Sequence, residues 1–391
     1  MNIRYFNHRT LPIETPTDWD RWLKAYWRIG TDDPLWTPPP YSALRWAVRP
    51  NPTNPYRDRL TVVGVIIEAL PGSYRRRQET GNDLLAGGQT IGAAGSLLIE
   101  TPVAVGLAAI DPQRPGDTAY LGPLLARNDP ATLSRLFDAL YESLYRLGAR
   151  RVVGPTPLSP WAGIGLQASH WNHPAPSHLL STPPYLPELL AGEFNSATRG
   201  VLWRLPASMP TTTPNAAITV TPVPPADLIT QHLDLVRAVL TATGWPPHTP
   251  PPDALEAAFL LGWWQRHSLH TSAWLAHHHG QPVGFALTQP DLGPQCHHTR
   301  GGRAALRQLV ARLSPRPILA GRVLLSGVQP EAHGQGISQA LLHALLAHAH
   351  TQGWQSLLFG PVPEASPTAT WLARRGATLA IHSQLYQQDL T

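Results

Sequence analysis

The chain has 391 residues, 42% of them hydrophobic and only 14% charged, with a formal net charge of +5 and a pI near 9.6. That length exceeds one ordinary core and suits two domains of under about 200 residues each. The positive balance does not point to nucleic acid: Lys24 is the only lysine, the arginines are dispersed, and the one dense basic run, Arg75-Arg76-Arg77, falls in an expected loop without interleaved aromatics.

Cys296 is the single cysteine, which excludes an internal disulfide framework and suits a reducing compartment. The opening residues, Met1 to His8, lack the apolar core of a signal peptide. Apolar runs such as 257–264 fall well short of the roughly 20 residues that cross a bilayer. The expectation is a cytoplasmic protein with no membrane segment, and its many prolines imply stiff loops and sharply ended elements.

In chain order, a strand is expected over Asn2–Phe6 and a helix over Asp18–Ile29, capped by Thr17. Its stripe of Trp19, Trp22, Leu23, Tyr26 and Trp27 reads as core. The proline-rich stretch from Pro34 to Pro55 reads as irregular, wrapping the surface or lining a cleft. Leu60–Leu70 is β-prone, a loop covers Pro71–Gln89, and Ser96–Ile110 reads as a hairpin turning near Thr101-Pro102. A strand over Ala119–Leu125, a helix over Pro130–Leu147 and a strand over Arg151–Pro155 follow.

Leu205–Pro214 has the composition of an extended linker, which gives a first domain over 1–205, a linker over 206–214 and a second domain over 215–391. The second half opens with a strand at Ala217–Pro222, a helix over Ala226–Thr243 and a helix after the N-cap Asp253 that runs to His267. A hairpin over 273–287 and a helix over Gly301–Leu313 come next. Strand Ser356–Phe359, helix Pro367–Arg375 and a closing strand pair over Thr378–Asp389 end the chain. The fold class implied is a mixed α/β chain.

Between those last elements lies the stretch on which function turns. Val323, Leu324, Leu325 and Val328 form a short buried strand ended by Pro330. Gly334 and Gly336 strip side-chain bulk from the turn, and from Ile337 the period changes to that of a helix, with Leu341, Leu342, Leu345, Leu346 and Ala349 on one face. Strand, glycine turn, helix is an order of parts that offers free N–H groups and a positive dipole end to an anion. Ser338 is expected as the helix N-cap or as a hydroxyl donor to the same anion.

Val328-x-Pro330-x-x-His333-Gly334-Gln335-Gly336-Ile337-Ser338 resembles the acyl-CoA loop of the GNAT acyltransferases, in which a strand ending Val-x-Pro leads into Arg/Gln-x-x-Gly-x-Gly/Ala and a helix. His333 stands where the family has Arg or Gln, and Ser338 where it has Gly or Ala. The order of elements is similar in both halves, so the resemblance implies two tandem GNAT-like domains. The first is degenerate, since Leu124-Leu-Ala-Arg-Asn-Asp129 has no glycine pair.

The resemblance further implies transfer of an acyl group from acetyl-CoA, or another acyl-CoA, to a small-molecule amine by direct attack. Main-chain groups of Ser326, Gly327 and Val328 would pair with the pantetheine arm, and the loop from His333 to Ser338 would hold the diphosphate. The hydroxyl that many members place four residues before the glycine ending the last helix is replaced here by Leu372, so Tyr386, Ser366 or water substitutes for it, or the acid is absent. Glu364 and Glu331 are the candidate bases. The groups His277-His-His279 and Cys296-His-His298 match no zinc spacing, and no metal is expected. The alternative is a non-catalytic module that binds CoA or a protein partner.

Overall fold

The computed structural model describes residues 8–69, 101–114, 116–210, 215–247, 249–268, 270–302 and 317–390. The expected strand at Asn2–Phe6, the Arg75–Arg77 loop, the start of the expected hairpin and most of the helix expected over Gly301–Leu313 lie outside them.

The first half runs β1 (His8–Pro12), α1 (Pro16–Gly30), α2 (Tyr41–Val48), α3 (Pro55–Arg59), β2 (Thr61–Ala69), β3 (Thr101–Ile110), β4 (Thr118–Ala126), α4 (Pro130–Arg146), β5 (Arg151–Gly154), β6 (Leu166–Gln167), α5 (Leu186–Ala191) and β7 (Ser196–Pro206). The second runs β8 (Ile218–Val223), α6 (Pro225–Thr230), α7 (Leu233–Thr243), α8 (Ala254–His267), β9 (Ser272–His278), β10 (Gln281–Pro290), α9 (Gly293–Thr299), β11 (Ala320–Val328), α10 (Ile337–Thr351), β12 (Ser356–Pro363), α11 (Pro367–Arg374) and β13 (Thr378–Asp389).

Several local expectations are corrected. The cap of α1 is Thr15, two residues before Thr17, and its side chain and that of Asp18 form a reciprocal capping box. Within the proline-rich stretch, α2 forms because the segment between Pro40 and Pro50 is proline-free and buries Ala43, Leu44, Ala47 and Val48 on one side. Thr101-Pro102 is no turn: it pairs with β2 as the start of one long strand, and Pro102 is tolerated beside a register shift between Ile67 and Glu68. The helix expected over Ala226–Thr243 is broken into α6 and α7, and the closing strand pair is a single strand, β13.

All described strands join one mixed sheet in the order β1-β2-β3-β4-β5-β13-β7-β12-β11-β10-β9-β8, with β6 pairing β13 off this path. The two halves exchange their last strands. β13 leaves the second half and pairs with β5, Tyr386 opposite Gly154, while β7 leaves the first half and pairs with β12, Leu205 opposite Leu357. At the centre β7 and β13 run antiparallel, from Thr378 opposite Arg204 to Gln387 opposite Ser196.

Strand alternation sends Val105, Leu107 and Ala109 of β3 and Phe285 and Leu287 of β10 to one face, where they meet α1 to α3 and α6 to α8 in a core common to both halves. Ala104 and Ala108 face the other way onto α4 and α5, and Ala286 onto α10 and α11. The common core also holds a buried polar joint. Glu256 of α8, fully buried, accepts from Tyr56 at 3.2 Å and Ser159 at 2.7 Å and pairs with Arg114.

Each half contains one parallel pair that opens into a fork. β4 and β5 are in register from Thr118/Arg151 to Tyr120/Val153, and β11 and β12 from Ala320/Ser356 to Val323/Phe359. Immediately beyond, β4 carries a register shift against β3 and β11 one against β10, with Leu324 as the extra residue. A bulge bends its strand and increases its twist. It therefore turns β4 and β11 away from their parallel neighbours at the same place in both halves. The neighbour turns as well, through the repeated Gly154-Pro155-x-Pro157 and Gly360-Pro361-x-Pro363.

Candidate acyl-CoA site

The fork of the second half leads directly to the glycine turn. One edge of β11 is covered by β10, Ala286 opposite Ser326, Phe285 opposite Gly327 and Gly284 opposite Val328. The pairing of its other edge with β12 ends at Val323. Main-chain groups of Ser326, Gly327 and Val328 thus border the fork, as a pairing partner for an extended ligand requires. Gly327 has a second constraint: a Cβ there would stand 2.2 Å from Val239 Cγ1, so α7 rests on the bare backbone.

From Val328 the chain passes through a short 3-10 turn, Pro330–Ala332, into the loop. His333 Nε2 lies 2.9 Å from the Val328 carbonyl. A carbonyl only accepts, so Nε2 carries the proton and the imidazole ties the loop back to the strand end. Gln335 reaches the Glu331 carbonyl at 3.4 Å. Gly334 and Gly336 have φ of 77° and 90°, left-handed values that favour glycine, and a Cβ on Gly334 would meet nothing within 4 Å. Residues 333–336 are exposed.

Gly336, not Ser338, is the N-cap of α10, which corrects the expected cap; Ser338 sits exposed in the first turn. Among the described residues no side chain caps this helix, and its first turn holds no acidic residue. The N–H groups and the positive dipole end therefore face solvent without a built-in anion. Ile337, buried, anchors the turn to the core beneath.

The first half closes the equivalent features. Thr156 N–H donates to Leu121 O at 2.7 Å and adds a rung past the last parallel pair, while the Tyr185 hydroxyl caps Ala126 O at 2.9 Å. The N-cap of α4 is Asp129, whose carboxylate accepts from Thr132 and places a negative charge where a phosphate would sit. Among the described residues, only the second fork is open at both its edge and its helix end.

The expected catalytic side chains do not converge on it. Tyr386 is fully buried in β13, packed among first-half residues such as Phe194, and its hydroxyl donates to Pro187 O at 2.8 Å. Burial raises its pKa far above the usual phenol range. Strand exchange thus removes Tyr386 from the second-half site, and the assignment as acid is corrected. Ser366 caps α11 by accepting from Ala369 N–H at 3.1 Å, and Leu372 lies in the core. Glu364 follows β12, exposed, with Arg199 Nη1 at 3.5 Å; Glu331 is exposed on the 3-10 turn.

Two residues at the fork carry no sequence expectation. Trp245 donates from Nε1 to Pro361 O at 3.1 Å and packs with Tyr120, Val153 and Leu385. Arg322, on β11 just before the bulge, is buried and bonds across to β12. A charged residue inside an apolar strand run, Ile318-Leu-Ala-Gly-Arg-Val-Leu-Leu, was the available signal for it.

No protein-family model matches the sequence, and no curated protein matches it either. Solved structures do. A tandem GNAT protein from the clavulanic acid biosynthesis pathway superposes with a TM-score of 0.54 at 11% identity, covering 98% of this chain and 99% of its own. A GCN5-related glucosamine N-acetyltransferase region of a fungal multi-domain β-N-acetylglucosaminidase gives 0.57 at 9% identity, over 98% of this chain and 38% of that one. A GCN5-related N-acetyltransferase from Sphaerobacter thermophilus gives 0.50 at 13% identity, over 97% and 96%. The chain therefore has the tandem GNAT fold.

Proposed function

We propose that this protein is an acyl-CoA-dependent N-acyltransferase. Its second domain, 215–391, binds acetyl-CoA or another acyl-CoA. Its first domain, 1–205, lacks a phosphate cradle and completes the second by strand exchange. The acceptor is a small-molecule amine that attacks the thioester directly. The reading involves no metal, nucleic acid or membrane, and its setting is the cytoplasm. One observation carries it: an uncapped helix N-terminus at Gly336, bare of side chains, opens beside the unpaired edge of β11. Such an end binds phosphate groups through main-chain N–H and dipole together. The named functions of the structural neighbours support the same chemistry.

Calorimetry of the purified chain with CoA and acetyl-CoA tests this directly. Binding heat is expected, and Gly336→Glu is expected to remove it by placing bulk and charge in the phosphate position. Gly336→Ala controls for the strain of a left-handed residue. Retained affinity in Gly336→Glu would overturn the site assignment.

A non-catalytic CoA-binding module is the second reading, favoured by the burial of Leu372 and the engaged hydroxyl of Tyr386. Thiol release from acetyl-CoA with a panel of primary amines separates the two, since a binding module gives heat without release.

A further inference from the structure

Arg322 is 2% exposed. Its Nε donates to Ser177 O at 3.2 Å, its Nη1 to Leu358 O at 3.1 Å and its Nη2 to Gly360 O. No carboxylate pairs with it among the described residues. The acidic group that acts on it from a distance, Asp291, is engaged elsewhere: its Oδ1 accepts from Ser177 N–H at 2.7 Å, Ser177 Oγ at 3.0 Å and Gly293 N–H at 3.1 Å. Burial brings the guanidinium down to about 10, so it stays cationic at neutral pH. Three neutral carbonyls accept from it, and among the described residues its charge is balanced only by the field of Asp291, which is held in hydrogen bonds of its own. A buried cation so placed interacts strongly with any further anion brought beside it.

Its place in the fork identifies the anion. Arg322 pairs with Leu358 one rung before the strands separate, and its guanidinium reaches Gly360, beyond the last rung. The cation thus bridges the vertex. From Val328 back to Val323 is five residues, about 16 Å of strand at the usual rise. A pantetheine arm held by its diphosphate at Gly334–Gly336 and laid along that edge brings its sulfur to the vertex.

We propose that Arg322 is a catalytic residue that stabilises the CoA thiolate leaving at the vertex of the second fork. The inference rests on the acyl-CoA reading above. In the step, the amine nitrogen forms a bond to the acyl carbon, the carbon–sulfur bond breaks with its electron pair going to sulfur, and the amine proton passes to water. No hydroxyl needs to protonate the sulfur in that event, which accounts for Leu372 in the helix position. A fixed charge held by three hydrogen bonds needs little reorganisation as the thiolate forms, which suits it to this task.

The test is a spectroscopic titration of the thiol of bound CoA, followed by its thiolate absorbance, in the intact protein and in Arg322→Gln and Arg322→Lys, with affinity measured in parallel by calorimetry. The expected result is a bound thiol that titrates at least one pH unit below free CoA in the unaltered protein. That shift should be lost in Arg322→Gln and partly kept in Arg322→Lys, with CoA affinity changed less than about threefold. A bound thiol titrating like free CoA in the unaltered protein overturns the inference even if both variants misfold, and so does an undiminished shift in a folded Arg322→Gln. Binding heat with no shift removes only this inference, whereas no heat at all removes the acyl-CoA reading and this inference with it.

Discussion

The Tyr386 hydroxyl and the Pro187 carbonyl meet at 2.8 Å, fastening the last strand of the chain into the core of its first half. Tyr386→Phe leaves that buried carbonyl without its donor, at a cost of about 1–3 kcal/mol. Thermal denaturation should register the loss, while on the proposed acyl-CoA reading CoA affinity should stay unchanged, because the glycine turn lies in the other half. A variant with full stability would show that the hydroxyl contributes nothing to the joint.

The exchange also predicts that the halves do not stand alone. Without residues 1–205, β12 loses β7 as its neighbour and β13 loses both β7 and β5, leaving exposed strand edges that promote association. The isolated 215–391 segment should aggregate or remain unfolded. Co-expression with 1–210 should give a soluble one-to-one complex by light scattering. A monomeric, cooperatively folding 215–391 would refute the shared sheet.

How much of this was readable beforehand follows from the range of each interaction. The glycine turn and the change of period at Ile337 are local, so the loop could be placed from neighbouring residues alone. The aromatic stripe of α1 was equally legible: Trp19, Trp22 and Trp27 are buried, with Trp22 Nε1 bonded to Gly106 O at 3.1 Å. Strand partners are not local. Nothing near Thr378–Asp389 distinguishes pairing with β5 from pairing within its own half, so Tyr386 was assigned to the wrong side of the molecule. The Gly-Pro-x-Pro repeat after β5 and within β12 was present in the sequence as a mark of the two-fold arrangement.

Buried histidines at the joint predict how stability responds to acid. The rings of His178 and His267 lie tilted against each other with centroids 4.2 Å apart; Gln289 Nε2 donates to His178 Nε2 at 3.2 Å, and His267 Nδ1 donates to Trp263 O at 3.0 Å. Burial lowers His267 to about 4, and burial, His267 and Arg322 together hold His178 well below its ordinary value. Folded values below the unfolded one mean that the unfolded chain takes up protons first as pH drops beneath about 6.5. Stability is therefore retained above that pH and lost as pH falls toward 4, by about 3 kcal/mol for His267 alone. Unfolding midpoints of the unaltered protein and His267→Gln across this range should converge at low pH. Parallel curves would show that His267 does not carry the effect.

Gly327 and Gly336 place opposite packing demands on an added side chain within one stretch of chain. A methyl at Gly327 is driven into Val239, 2.2 Å from Cγ1, against a helix that cannot easily withdraw. Overpacking of this kind costs about 1–3 kcal/mol. Gly327→Ala should therefore destabilise the fold, and adding Val239→Ala should recover much of the loss, since the second change removes the atoms in the way. Gly336, whose nearest atom to an added Cβ is Ile218 Cδ1 at 3.7 Å, has no such partner to relieve. Chemical denaturation of the two single variants and the double variant measures the coupling. Additive losses would mean that α7 does not bear on Gly327, and the positioning of the β11 edge would then need another cause.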